Sequence, residues 1–340
     1  MGTMTNRFDL VRLVLASAVF IYHAFALSSV QPGGEIERAL ALLAELSIQS
    51  FFIVSGALVY GSYERSKSVS DYTGKRVRRL YPAYAVIILI PALIALVLAV
   101  FSGDGFADIA RYVGANLVFL NFLEPSLPGL FEAQRFSAVN GALWTLKIEV
   151  MFYIAVPLIA WGLSRMGKLW WLGIGALTLA AFAWREVMLS VYESPVLARQ
   201  LPGQMMFFAA GIVVWKVWPV LRAQSLSVLL IGALFLALSL LIPSLEALRV
   251  LGLTGMIAGI AFLPGPSLNA AAYGDVSYGV YIIHFPIVQA LVAAGVFTAL
   301  GFWAGLAISA ILVFLLSYLL WWWVEKPALR RDSHYRTVSK

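Results

Sequence analysis

The sequence predicts an all-α, polytopic membrane protein of about ten transmembrane helices with both termini cytoplasmic, and three observations carry that prediction. The 340 residues are 61% hydrophobic and only 12% charged, with a mean hydropathy of +0.88, too apolar to clothe a water-exposed surface. The apolar residues gather into ten runs of the length that a bilayer core about 30 Å thick requires, roughly 20 residues each. Most of the 24 Lys and Arg fall in alternate connections, as short cytoplasmic loops do. This composition excludes a disordered chain, a fibre and a secreted disulfide scaffold. With no cysteine there is no disulfide, thiolate metal site or cysteine nucleophile. A net charge of +7 would suit nucleic acid, but the basic residues sit in short clusters between apolar runs and act as topology determinants, so no nucleic-acid partner is expected.

The runs are 8–29, 41–61, 81–101, 143–163, 169–187, 201–217, 225–242, 248–264, 277–299 and 302–324. The first could pass for a signal peptide ending at Ala24-Phe25-Ala26, but a signal h-region has no use for Asp9, Arg12 and His23. The second follows the outer acids Glu35 and Glu37, has Glu45 at its outer end, and is followed by Arg65 and Lys67; the third opens after the basic run Lys75-Arg76-Val77-Arg78-Arg79. Residues 102–142 form the one long outer connection, in which Ile109–Phe122 is apolar but too short to cross, so a surface or partly dipping helix is expected. The fourth run holds Lys147 and Glu149 and exits at Arg165 and Lys168, and the fifth to eighth alternate about the outer Arg185 and Glu246 and the inner Lys216 and Arg222. The ninth carries His284 before Pro286, and the tenth leads to a cytoplasmic tail, 325–340, in which His334 is solvated. Trp170-Trp171 and Trp321-Trp322-Trp323 read as interfacial anchors. No internal repeat or appended soluble domain is visible, so 1–340 is one membrane domain.

An ionisable group inside a span costs about 2.5–3.5 kcal/mol on insertion scales, which makes each one a candidate for function. His23 and Glu149 both lie about 9 Å below the outer surface by residue counting. At one depth they can pair, the carboxylate orienting the imidazole and fixing its tautomer. Arg12, about 16 Å lower on a similar face of the first helix, would mark the cytoplasmic mouth. Arg76 and Arg79 are spaced i, i+3, so on a helix both guanidinium groups can grip a phosphate, although a basic loop also serves topology alone. His284, counted to a different depth from His23, is either a packing residue or a functional one beside a proline kink. Lys147 and Glu149 are two apart and face different ways.

At these residues the chain resembles the acyltransferase-3 family of integral membrane acyltransferases, which acylate sugars and related acceptors. Six blocks in the family's order carry the resemblance. They are Arg7-Phe8-Asp9-Leu10-Val11-Arg12 with His23 beyond it, Phe51-Phe52-Ile53-Val54-Ser55-Gly56, and Arg76-Val77-Arg78-Arg79-Leu80-Tyr81-Pro82. The others are Trp144-Thr145-Leu146-Lys147-Ile148-Glu149-Val150-Met151-Phe152-Tyr153, Ser277-Tyr278-Gly279-Val280-Tyr281-Ile282-Ile283-His284-Phe285-Pro286, and Glu325-Lys326-Pro327. Ala57 departs from the phenylalanine common after the Ser-Gly pair.

The resemblance implies acyl transfer from cytosolic acyl-CoA, acetyl-CoA foremost, to a hydroxyl of a saccharide or glycan acceptor, in a bacterial cytoplasmic membrane and without a metal. It matches His23 to the essential first-span histidine, Arg12 to its paired arginine, Arg76 and Arg79 to the inner arginine motif, and Glu149 to the carboxylate of the Trp-Thr-Leu block. Asp9, Trp144, Lys147, Tyr153, Tyr278 and His284 are then substrate-binding or supporting residues. A thioester is already activated, so the protein must position it, deprotonate the hydroxyl and stabilise an oxyanion. His23 serves either as general base or as the site of an acyl-imidazole. The rival class is a secondary transporter or exporter of a saccharide or lipid-linked saccharide, which also buries charges among many helices but would be expected to show inverted repeats.

Overall fold

The computed structural model describes residues 7–266 and 274–330. The tail residues 331–340, His334 among them, lie outside the described residues. Among the described residues the fold is helical, and its extended pairing is a single isolated bridge between Leu127 and Leu130.

Each of the ten apolar runs is helical, the ninth split at Gly295 into two helices. In chain order, with the shorter helices between them, they are α1 (Phe8–Leu27), α2 (Glu35–Glu64), α3 (Val69–Ser102), α4 (Phe106–Leu117), α5 (Trp144–Met166), α6 (Trp170–Ser190), α7 (Pro195–Ala198), α8 (Leu201–Lys216), α9 (Trp218–Ala223), α10 (Ser225–Leu241), α11 (Leu248–Phe262), α12 (Ser277–Ala293), α13 (Val296–Leu300) and α14 (Phe302–Leu320). Five stretches are long and apolar enough to cross a membrane: Phe8–Leu27, Glu35–Glu64, Val69–Phe101, Gly141–Ser190 and Phe302–Ala328. Large apolar side chains such as Phe101, Leu158, Leu179, Leu241 and Trp303 point outward, a surface suited to lipid rather than water. The protein is an integral membrane protein.

Two differences from expectation matter for the site. The third helix starts well before residue 81: α3 begins at Val69, so Arg76 and Arg79 stand within it at the helical i, i+3 spacing. Trp321 is not an interfacial anchor. The chain passes from α14 into a π-helical turn, Trp321–Glu325, that rolls Trp321 inward to full burial and leaves Trp323 exposed.

The chain divides into two compact units. The first comprises Met1–Arg12, Leu46–Thr73 and Ile148–Asn269. Here α10 packs on α11 and α6 on α8. Gly56 of α2 faces Gly211 of α8 so closely that a Cβ on Gly56 would lie 2.1 Å from the Phe208 carbonyl oxygen. Phe152 stacks on Phe208 at a centroid distance of 4.2 Å, closing the same seam. Arg7 ties the head of α1 to the end of α11, its side chain donating to the carbonyls of Pro264 and Pro266.

The second unit comprises Leu13–Glu45, Gly74–Lys147 and Ala270–Lys340. In it α12 packs on α14. Ile109–Phe122, expected to hold a short helix, contributes to α4, whose buried face is Ile109, Tyr112 and Asn116. Tyr84 of α3 donates to the Asn116 carbonyl at 2.7 Å. Burial pushes the Tyr112 phenol well above its ordinary range, so that side chain stays neutral. Arg135 pins the long connection by donating to Glu37 and to the Ala26 carbonyl.

Helix-interior prolines leave orphaned carbonyls, and each unit fills one with a side chain. Pro286 has no N–H for Ile282, and the Asn140 amide donates to that carbonyl instead at 2.8 Å. Pro157 likewise frees the Tyr153 carbonyl, which accepts from the Tyr72 hydroxyl at 3.1 Å.

Candidate active site

The second unit holds a histidine pair. His23 sits in the last turns of α1, and its Nδ1 lies 2.9 Å from Nε2 of His284 on α12. The rings are tilted by 25° with centroids 5.0 Å apart, the near-coplanar, edge-to-edge geometry that an N–H···N bond needs. His284 is fully buried, its other nitrogen 3.0 Å from the Val280 carbonyl one turn back. Phe285 sets its ring edge-on to His23 at 5.1 Å, and Gly141 leaves room for Phe285, since a Cβ there would meet that ring at 2.9 Å. Asn140 and Thr145 hold the start of α5 against this stretch, Thr145 hydrogen-bonding to the Tyr281 hydroxyl at 2.6 Å.

This contact corrects the depth arithmetic, which set His284 apart from His23. Counting residues gives depth only for upright helices that start at one level. Helix α12 ends at Ala293 rather than at 299, so His284 lies at its middle. The partner of His23 Nδ1 is therefore His284 and not a carboxylate.

Glu149 has its own anchor in the first unit. The Ser55 hydroxyl lies 2.7 Å and 3.0 Å from its two carboxylate oxygens. The same α5 presents Lys147 to the Phe122 ring at 4.5 Å, within the second unit. Asp9 and Arg12 meet at 3.9 Å on one face of α1. Trp144 is half-buried at the first turn of α5, and Tyr153 enters the hydrogen-bond pattern through its carbonyl.

The arginine pair splits. Arg76 is half-buried and Arg79 is buried. Arg79 gives Nη1 to Glu325 and Nη2 to Asp275, each at 2.5 Å, with both carboxylates about 1% exposed. Ser277 donates to the other Asp275 oxygen at 2.6 Å, and the rings of Tyr278 and Trp321 flank the guanidinium. Tyr278 itself donates to the Leu80 carbonyl. The two nitrogens that a phosphate fork would take thus already face carboxylates.

Sequence reasoning missed Asp275 altogether, and it quoted Ser55 and Glu325 within motifs without giving them partners. The available signal was a carboxylate at the mouth of an apolar run, since such a group requires a cation. Among the described residues no group of three or more His, Asp or Glu side chains is arranged to hold a metal ion.

With this geometry in view, similarity to known proteins is informative. A family profile described as an acyltransferase domain matches residues 5–322. A protein named O-acetyl transferase, from Shigella phage Sf6, is 30% identical over 344 residues, covering 97% of this chain and 97% of that protein. Nodulation protein 10 of Rhizobium leguminosarum bv. viciae is 25% identical over 96% of this chain and 93% of its own length. The exopolysaccharide production protein ExoZ of Rhizobium meliloti (strain 1021) is 26% identical over 86% of this chain and 92% of its own. No solved structure matches. A profile that runs through nearly the entire helical chain and relatives aligned over almost their full lengths leave one assignment: the chain belongs to the acyltransferase-3 family of integral membrane acyltransferases.

Proposed function

We propose that the chain is a membrane O-acyltransferase that moves an acyl group, acetyl foremost, from cytosolic acyl-CoA to a hydroxyl of a saccharide or glycan, with His23 as general base. The observation that carries this reading is the His23–His284 contact on the first helix of an acyltransferase fold. The relatives named as an O-acetyl transferase and as an exopolysaccharide production protein support a saccharide acceptor. In the proposed step the acceptor oxygen attacks the thioester carbonyl while His23 takes the hydroxyl proton. The C–S bond then breaks, and the thiolate leaves as the thiol with the proton returned from His23. Direct transfer predicts no release of free CoA before acceptor is added, which separates it from an acyl-imidazole route.

Arg76 and Arg12 are the proposed phosphate contacts of the donor, and Arg79 secures the end of α3. Glu149 remains the second proposed catalytic group, held by Ser55; Trp144 and Lys147 are proposed contacts for acceptor or carbonyl oxygen. Ten spans with both termini cytoplasmic, in a bacterial cytoplasmic membrane, belong to this reading; the distribution of Lys and Arg supports the sidedness.

The test uses purified protein in lipid nanodiscs with labelled acetyl-CoA and a panel of saccharide acceptors, read by mass spectrometry. Acyl esters should form, and His23→Ala should lower their rate by about 100-fold or more while donor binding persists. Unchanged transfer in His23→Ala would overturn the assignment of the base.

A further inference from the structure

The hydrogen bonds around the two histidines fix their protons. A carbonyl oxygen only accepts, so the Val280 carbonyl, 3.0 Å from His284 Nδ1, requires a proton on that nitrogen. A neutral His284 then carries a lone pair on Nε2, and that lone pair faces His23 Nδ1 at 2.9 Å. The contact is a hydrogen bond only if His23 Nδ1 bears the proton and donates it.

The opposite arrangement is costly. A proton on His284 Nε2 would strip Nδ1 and set its lone pair against the Val280 oxygen, an unmade buried hydrogen bond. Protonating both nitrogens would place a cation at a position with no exposed surface among Phe20, Tyr281 and the His23 ring.

We propose that His284 is the positioning residue of the reaction. Through a one-way chain from His23 Nδ1–H to His284 Nε2 and from His284 Nδ1–H to the Val280 carbonyl, it holds the lone pair of His23 on Nε2, which makes Nε2 the atom that receives the acceptor hydroxyl's proton. This rests on the reading of His23 as the base. His284 does what a carboxylate does in a hydrolase triad, selecting the tautomer and the ring orientation, but as a neutral acceptor that puts no charge in the core. When Nε2 takes the hydroxyl proton, the Nδ1–H bond to His284 shortens against a now cationic ring. When Nε2 returns that proton to the leaving thiolate, the chain is restored with no net change in either histidine.

The chain has three histidines, so ¹⁵N-histidine labelling in nanodiscs gives an assignable spectrum, with His23→Ala and His284→Gln identifying the signals. Both His23 and His284 should show a protonated Nδ1 and a lone-pair Nε2. A His23 signal protonated on Nε2 would overturn the proposal whatever His23→Ala does to activity, so the two readings fail separately. In kinetics, His284→Gln can still accept from His23 and should stay within about tenfold of wild type. His284→Leu cannot, and should lose on the order of 10²–10⁴ in kcat with the donor KM unchanged. Equal kcat values for the Gln and Leu variants would reduce His284 to a packing residue.

Discussion

The Ser55 hydroxyl sits between the two carboxylate oxygens of Glu149, at 2.7 Å and 3.0 Å, joining α2 to α5. A hydroxyl has one proton, so the pair is a shared, charge-assisted bond worth about 1.5–3 kcal/mol. Ser55→Ala should lower acyl transfer by about 10–100-fold, the rate equivalent of that energy. Ser55→Thr, which keeps the hydroxyl, should retain most activity. Transfer assays beside thermal melting in detergent check this; a Ser55→Ala enzyme as fast as wild type would show that the fastening of Glu149 does not matter to the reaction.

The two arginines of the α3 motif should fail differently. Arg79 is the cation between two buried carboxylates, so Arg79→Ala leaves both uncompensated and should cost about 3–5 kcal/mol of stability. The expected readout is lost membrane yield and a lowered melting midpoint. Arg76→Ala, a half-buried residue, should lose less stability than Arg79→Ala and raise KM for the acyl donor. Matching stability losses in both variants would contradict the division of labour.

The Tyr72–Tyr153 bond exists to fill a vacancy made by Pro157. Tyr72→Phe should therefore destabilise by about 1–3 kcal/mol, the cost of an orphaned buried acceptor. In a Pro157→Ala background, position 157 regains an N–H for the Tyr153 carbonyl, and Tyr72→Phe should become nearly neutral. A double-mutant cycle by denaturant or thermal unfolding measures the coupling; additive effects would mean that the hydroxyl serves some other end.

Contact at the α2–α8 seam is closer than any side chain permits. A Cβ on Gly211 would lie 2.0 Å from the Ile53 carbonyl oxygen, so Gly211→Ala must move one helix and should cost about 1–3 kcal/mol. Ser55 lies on the α2 segment that would shift, so transfer should fall with stability. Gly175→Ala is the control: nothing lies within 4 Å of its Cβ, and the helix should gain up to about 1 kcal/mol. Comparable melting of the two variants would refute the close approach.

The helices were legible in the sequence because hydropathy is a local property: each apolar run from Phe8 to Leu320 proved helical, and boundary errors arose where polar turns belonged to a helix, as with Arg76 and Arg79 on α3, or where a glycine broke an apolar run, as at Gly295. His23 and Glu149 stood out because a charge or an imidazole is costly in lipid. Their partners were not legible, because partnership depends on tilt and stagger. His23 and His284 are 261 residues apart, and nothing between them encodes that two helices slide until Nδ1 meets Nε2. Ser55 resembled any small residue in a span, and Asp275 resembled a loop residue until the Arg79 fork reached it.

The Arg79 fork also orders the making of the protein in time. Asp275 follows Arg79 by 196 residues and Glu325 by 246. At roughly 5–20 residues per second, the second counter-charge leaves the ribosome some 12–50 s after the cation it neutralises. Until then the N-terminal part of α3 carries a guanidinium with no carboxylate to receive its second nitrogen, and it must remain near water. The π-helical turn after α14 therefore acts as a seal: arrival of Glu325 lets Arg79 go under, and a nascent protein halted short of it stays marked by an unburied charge.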